Sequence, residues 1–401
     1  MKKIDFNSSF QKLKTFCESE DFKGWDPYDG LNSKLFNKVP YLNKSRFFRL
    51  AWIQFHKRFP VNLRKLVGIE KQYNPKGLAL FLIGYCNLYK QESKQEYLNK
   101  IEYLTNLILT KQTKGYSGAC WGYNFDWQAR AFFQPKYTPT VVATSFVAEA
   151  LISSYKITKN KKVLEVVLSI EKFITQDLNK SYDNQGNFTL SYSPLDKTQV
   201  FNAGLLGAKT LCLLNEFLND EKLIDFSKKI VQYVCNKQQK NGAWAYGTLP
   251  FHQWIDNFHT GYNLECIYTY QEVSKDYSFK ENLSKGVNYY LNTFFTNEGV
   301  SKYYNNKTYP IDIHAPAQLL VTCSKLNILV DNKPLIDQVI SWTIDNMQSK
   351  KGFFYYQKRK TVPSKIVYMR WAQAWMFYGF TYYFKNSHEY SKSKYFKYNH
   401  R

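Results

Sequence analysis

The chain has 401 residues, enough for one large core or two smaller ones, and its 44% hydrophobic and 22% charged residues are the balance of a soluble globular protein. A formal net charge of +23 suits polyanionic partners, an anionic membrane surface or an acidic glycan among them. No basic run is interleaved with a nucleic-acid-binding motif, so nucleic acid is not expected as a partner.

The opening residues MKKIDFNSSF hold no apolar segment of signal-peptide kind, and no run reaches the length of a membrane span. The seven Cys are scattered and form no C-x-x-C, which fits reduced thiols. Together these predict a cytoplasmic protein, at most peripheral to the inner face of the membrane. Tyr, Phe and Trp reach 18% of the chain, supplying faces for sugar or apolar rings unless codon bias accounts for the excess.

Residues 1–42 read as a polar extension with one helix near Phe10–Glu18 and a turn-rich stretch, Gly24-Trp-Asp-Pro-Tyr-Asp-Gly30. Asp26 and Asp29 there make a lid or, more simply, a turn. Ser45–Lys57 has amphipathic helical spacing and ends at Pro60. Leu78–Tyr89 is apolar on nearly every side, as in a buried helix, and Gln95–Thr110 is amphipathic.

From there a unit recurs. An amphipathic helix leads to a Gly-aromatic loop such as Asn241-Gly-Ala-Trp-Ala-Tyr246, then to a short strip and an apolar helix. The apolar helices are expected to begin near Pro75, Pro139, Asn202, His259, His314 and Arg370, a period of roughly 55–65 residues that fits one helical hairpin with its loops. Six buried helices alternate with six amphipathic ones, the first at 45–57, so the expected fold is all-α: a double ring over residues 43–385, with an open solenoid as the alternative. The basic stretch 386–401 is expected as a tail.

This pattern resembles the (α/α)6 toroids, a superfold of glycoside hydrolases, polysaccharide lyases, sugar epimerases and terpenoid-cyclase-like barrels. Residues 24–30, Trp121–Trp127, Trp254–His259 and Arg370-Trp-Ala-Gln-Ala-Trp375 are similar to toroid proteins of bacterial capsule and exopolysaccharide clusters. The resemblance implies a carbohydrate-active protein. The cyclase D-x-D-D run is missing, and Cys266 near His259 and Asp256 does not reproduce a zinc signature, so no metal or cofactor is expected.

In such a ring the loops before the inner helices surround one cavity, and the helix N-termini aim partial positive charge into it. Asp256 and His259 sit at one such start. They read either as a carboxylate orienting an imidazole for acid–base work or as an N-cap with a packed His. Asp312 and His314 repeat the pattern one unit later. Asp126 lies in the strip before the second inner helix, as a third acid or a loop ion pair. Arg370 entering an apolar helix needs a partner, a substrate anion or Asp312 or Asp256. Arg130, Trp254, Trp127, Trp371, Tyr73, Asn74 and Asn202 are candidate substrate contacts, by charge, stacking or hydrogen bonding. Trp121 and Trp244 stack on sugar or pack between repeats.

The expected function is hydrolysis, β-elimination or epimerisation of an anionic or lipid-linked glycan in cell-surface polysaccharide biosynthesis. The alternatives are a prenyl-processing barrel with a dry aromatic cavity, or a non-catalytic glycan-binding scaffold.

Overall fold

The computed structural model describes residues 5–130 and 132–385; the tail at 386–401 lies outside the described residues. Four helices come first: α1 (Phe6–Ser19), the short α2 (Lys34–Asn37) and α3 (Pro40–Lys44), and α4 (Arg46–Arg58). Five hairpins follow, each pairing an inner with an outer helix: α5 (Pro75–Glu92) with α6 (Gln95–Leu109), α7 (Val141–Thr158) with α8 (Lys161–Lys172), α9 (Phe201–Leu218) with α10 (Glu221–Cys235), α11 (Asn257–Ser274) with α12 (Lys280–Phe294), and α13 (His314–Lys325) with α14 (Lys333–Met347). A last inner helix, α15 (369–385), opens with a π-helical turn.

The inner helices carry apolar residues on every face because they are covered on nearly every side. In α5 every residue from Pro75 to Leu88 is buried, and α9 is buried from Phe201 to Cys212. Each inner helix packs on the next from α5 to α13. The ring closes where Phe81 of α5 meets Phe377 of α15 and Asn87 donates to Thr381. The outer helices bury one stripe. In α10 it runs through Leu223, Ser227, Ile230, Val231 and Val234, the helical spacing of a single face. The fold is an (α/α)6 double ring.

One expected element is corrected. Ser45–Lys57 is helical but is not one of the six outer helices; α1 takes that place. Phe10, Leu13 and Cys17 are buried, and Phe10 packs on Phe377 and Phe380 of α15. The repeat turns carry the same message. Gly242, at φ +92°, lies so close to α12 that a Cβ would collide with the Lys285 carbonyl oxygen. Gly352, at φ +96°, meets the Lys12 carbonyl of α1 in the same way, so α1 fills the place of the next outer helix.

Helix α4 crosses the mouth of the ring instead. Arg49 donates to Gln128 at 2.9 Å, and Arg359 donates to the Lys57 carbonyl at 3.1 Å. Beside it lies the hairpin of β1 (Trp127–Gln128) and β2 (Phe133–Gln134). Two more antiparallel hairpins, β3 (Lys180–Tyr182) with β4 (Phe188–Leu190) and β5 (Ile311–Asp312) with β6 (Gln357–Lys358), brace other loops. Midway along the inner helices Glu149 accepts from Lys209 at 2.6 Å and from Lys325 at 2.5 Å, so buried charge there is paired. Among the described residues no helix is long and apolar enough to cross a membrane.

Candidate active site

The six inner helices open together on one cavity of about 540 Å³. Each contributes from its first two turns: Lys76 from α5, Val142 from α7, Asn202 from α9, His259 and Tyr262 from α11, His314 from α13, and Arg370 and Trp371 from α15. The hairpin residue Trp127 and the α4 residues Leu50, Gln54, Lys57 and Arg58 complete the rim. Among the described residues no Asp or Glu lines the cavity.

Asp256 and His259 are brought together by the start of α11. Asp256 is the N-cap: its Oδ1 accepts the His259 backbone N–H at 2.9 Å. Its Oδ2 also lies 2.9 Å from His259 Nδ1. The cap and the orienting carboxylate are therefore one group, and the two readings of the sequence coincide. Asp256 is 2% exposed and does not line the cavity. Its acceptance from Nδ1–H leaves Nε2 as the nitrogen presented to the cavity, where it has no hydrogen-bond partner among the described residues.

His314 stands on the neighbouring helix, its ring stacked on Phe258 at 4.4 Å and its Nε2 2.9 Å from the Tyr262 hydroxyl. Burial, then the charges of Lys76, His259 and Arg370, pushes its pKa well below the usual imidazole range, so the ring is neutral. Nδ1 is buried without a partner among the described residues. Asp312 does not pair with His314 as Asp256 does with His259. It accepts the His314 backbone N–H at 3.0 Å, but its side chain is held by Gln357 at 2.7 Å and Trp371 Nε1 at 2.8 Å. Asp312 is fully buried off the cavity, and burial outweighs these donors to push its carboxyl up to about 6.

Arg370 lines the cavity, and its partner is neither Asp312 nor Asp256. Its Nε and Nη2 fork onto Asp26 at 2.5 and 2.8 Å. The second acid of that stretch, Asp29, accepts from Arg64 Nε at 2.7 Å. Residues 24–30 thus form a turn that is buried against α15, with Met369 donating to the Trp25 carbonyl at 3.1 Å. Burial opposes the Arg370 charge, and Asp26 more than restores it.

The other expected contacts divide. Trp254 lines the cavity stacked on Tyr246 at 4.2 Å, Trp127 and Trp371 line it, and Arg130 stands exposed at its rim. Asn202 lines it with Oδ1 unpartnered among the described residues. Asn74 does not; it caps α5 by accepting from Lys76 N at 3.1 Å. Tyr73 turns away to Asp21 and Tyr103. Asp126 accepts the Lys136 backbone N–H at 2.7 Å and braces the β1–β2 hairpin outside the cavity. Trp121 and Trp244 pack between repeats, their indoles donating to the carbonyls of Ile108 and Val234.

Lys76 is the residue that sequence reasoning missed. It is 4% exposed, in the first turn of α5, with Nζ 4.2 Å from the Phe146 ring and 3.5 Å from the Tyr262 hydroxyl. Among the described residues no carboxylate forms an ion pair with it. Burial, then Arg370, drives its pKa well below the usual lysine range. The usable signal was a Lys one residue after a helix-starting Pro, and that pattern is ordinarily a solvated first turn.

No family model and no curated protein matches the chain. Solved structures do. Cellobiose 2-epimerase from Bacillus thermoamylovorans B4167 has a TM-score of 0.63 at 13% identity, covering 79% of this chain and 88% of that one. The Lin0763 protein from Listeria innocua has a TM-score of 0.64 at 15% identity, covering 96% and 99%. The GH76 alpha-mannanase BT2949 of Bacteroides thetaiotaomicron has a TM-score of 0.62 at 10% identity, covering 79% and 88%. At such identities the likeness is one of fold.

Proposed function

We propose that the protein is a carbohydrate-active enzyme that moves a proton on carbon, as an epimerase or a β-eliminating lyase does. The observation that supports this is the pair of imidazoles on adjacent inner helices facing a cavity that no described carboxylate lines. Hydrolysis by two acids would need carboxylates flanking the bond, whereas Asp126, Asp256 and Asp312 are each engaged away from the cavity.

In this reading His259 Nε2 removes the proton beside a carbonyl or carboxylate carbon, with Asp256 steadying the imidazolium. The Tyr262 hydroxyl, backed by neutral His314, returns a proton to the opposite face in epimerisation or to the departing oxygen in elimination. Arg370 supplies the positive field in which the enolate develops, joined by Lys76 once an anionic group beside it draws a proton onto the amine. That field, with Arg130 at the rim, favours an anionic glycan. The aromatic walls also suit the prenyl-processing alternative, which would in addition need a buried acid in the cavity. The setting we propose is cytoplasmic, in cell-surface polysaccharide synthesis of the capsule kind, on a glycan that is acidic or lipid-linked.

The test is proton NMR in deuterated water of the protein with reducing disaccharides and with uronate-containing oligosaccharides. Loss of one carbon-bound proton signal, abolished in His259→Ala, is expected. Cleavage of a glycosidic bond without any deuterium incorporation into either sugar would overturn the reading in favour of hydrolysis.

A further inference from the structure

The outward face of α4 is apolar. Phe47 is 72% exposed, Phe48 44%, Phe55 40% and the adjoining Phe59 38%. Residues 47, 51, 55 and 59 follow one another at i, i+4 spacing, and the Phe55 and Phe59 rings stack at 5.1 Å, so the rings form one stripe. Around it, Tyr41 is 84%, Val61 58% and Leu66 82% exposed. The helix spends its other face inward, where Ile53 and His56 are buried. A helix at a water-facing surface ordinarily shows the reverse pattern.

The chain segment that carries this stripe has charge of one sign. From Leu31 to Leu66 the chain holds nine Lys and Arg and no Asp or Glu. Arg64 is consumed by a buried acid, Asp29, and Lys34 pairs with the exposed Glu70 just past this segment; Lys38, Lys44, Arg46, Arg58 and Lys65 are exposed. A second copy of this chain does not fit, since a two-fold contact would set each cationic segment against its equal. Aromatic rings on a helix face flanked by Lys and Arg match the boundary between acyl chains and anionic headgroups.

We propose that α4 and its flanking loops are the face by which the protein docks on an anionic lipid bilayer. Leu50, Gln54, Lys57 and Arg58 of the same helix line the cavity rim. Docking therefore sets the mouth at the bilayer surface, where a lipid-linked glycan presents its sugar. That last step rests on the proposed function; the docking itself does not.

The experiment is co-sedimentation of the full chain with phosphatidylcholine vesicles, with and without phosphatidylglycerol, at low and high salt. Wild type is expected to sediment with phosphatidylglycerol-containing vesicles only, and to be released by salt. Phe47→Ser/Phe55→Ser and Lys44→Glu/Lys65→Glu should each weaken this by roughly tenfold or more, because each removes one of the two attractions. Their melting temperatures and gel-filtration masses should match wild type, since these side chains are at the surface. No sedimentation with anionic vesicles overturns the proposal, as does equal binding to neutral ones. A wild-type dimer that Phe47→Ser/Phe55→Ser renders monomeric would also overturn it and assign the face to a second copy. Vesicle binding that persists while no glycan is turned over would sink the proposed function and leave the docking face standing.

Discussion

Asp256 Oδ2 lies 2.9 Å from His259 Nδ1 while Oδ1 of the same carboxylate accepts the backbone N–H of the same histidine at 2.9 Å. One side chain thus fixes where α11 begins and which way the imidazole faces. Cap loss and base loss are usually confounded in a mutant. Here an amide replacement separates them.

In Asp256→Asn the side-chain oxygen still caps α11, because Asn and Asp are equally good N-caps, so stability should change by less than about 1 kcal/mol. The new amide nitrogen then faces His259 Nδ1. That nitrogen must accept, the ring proton moves to Nε2, and the base is lost. Turnover should fall by about 10²- to 10⁴-fold with the melting temperature little changed. Asp256→Ala should lose both turnover and about 0.5–2 kcal/mol of stability. Full turnover in Asp256→Asn would mean that Asp256 is only a cap.

How much of this was legible depends on distance along the chain. The inner-helix starts expected near Pro75, Pro139, Asn202, His259, His314 and Arg370 fall within about two residues of those observed, because a helix buried on nearly every side carries apolar and small residues on all its faces and few charges. Pairing of Asp256 with His259 was legible because two residues three positions apart at one helix turn are neighbours. Asp26 and Arg370 lie 344 residues apart, and nothing in either neighbourhood names the other. Helix α4 was misplaced because Phe47, Phe48 and Phe55 have the spacing of a core stripe, and spacing does not say whether a stripe faces protein or solvent.

Asp26 and Arg370 form a buried, forked ion pair, both about 5% exposed at the side chain. Removing one partner strands the other. Asp26→Asn should cost about 3–5 kcal/mol, and the double variant Asp26→Asn/Arg370→Met distinctly less than the sum of the single changes. Thermal or urea unfolding of the four proteins measures the coupling. Additive losses would show that the two groups act independently.

Asp312 gives stability a definite pH slope. Its folded pKa of about 6 stands above the ordinary aspartate value of 3.8, so the folded chain binds the proton more tightly than the unfolded one. The stabilisation is therefore complete below the unfolded pKa and is lost as pH rises through about 6. Asp312→Asn has no proton to lose. Its melting temperature relative to wild type should climb between about pH 4 and pH 7 and level off above. Asp29, also pushed up to about 6, contributes equally to both proteins and cancels in the difference. A difference that stays flat across the window would mean that Asp312 titrates as an ordinary carboxyl.

Lys76 tests the anionic reading of the cavity. Its amine sits among the rings of Phe146, Tyr262 and Trp375, at 4.2, 5.2 and 5.3 Å, in the first turn of a helix whose dipole opposes a cation. Burial and Arg370 both favour its neutral form, so it should take up a proton when an anionic group arrives beside it. Lys76→Met keeps the length of the side chain and removes a buried polar group, so stability should hold or rise by about 1 kcal/mol. Affinity for an acidic oligosaccharide should fall by about 10- to 100-fold while a neutral one binds as before. Titration calorimetry in two buffers of different ionisation enthalpy reads the proton directly: uptake on binding the acidic ligand in wild type, none in Lys76→Met. Equal proton uptake in the two proteins would place the responding group elsewhere, and an unchanged affinity would remove Lys76 from the binding surface.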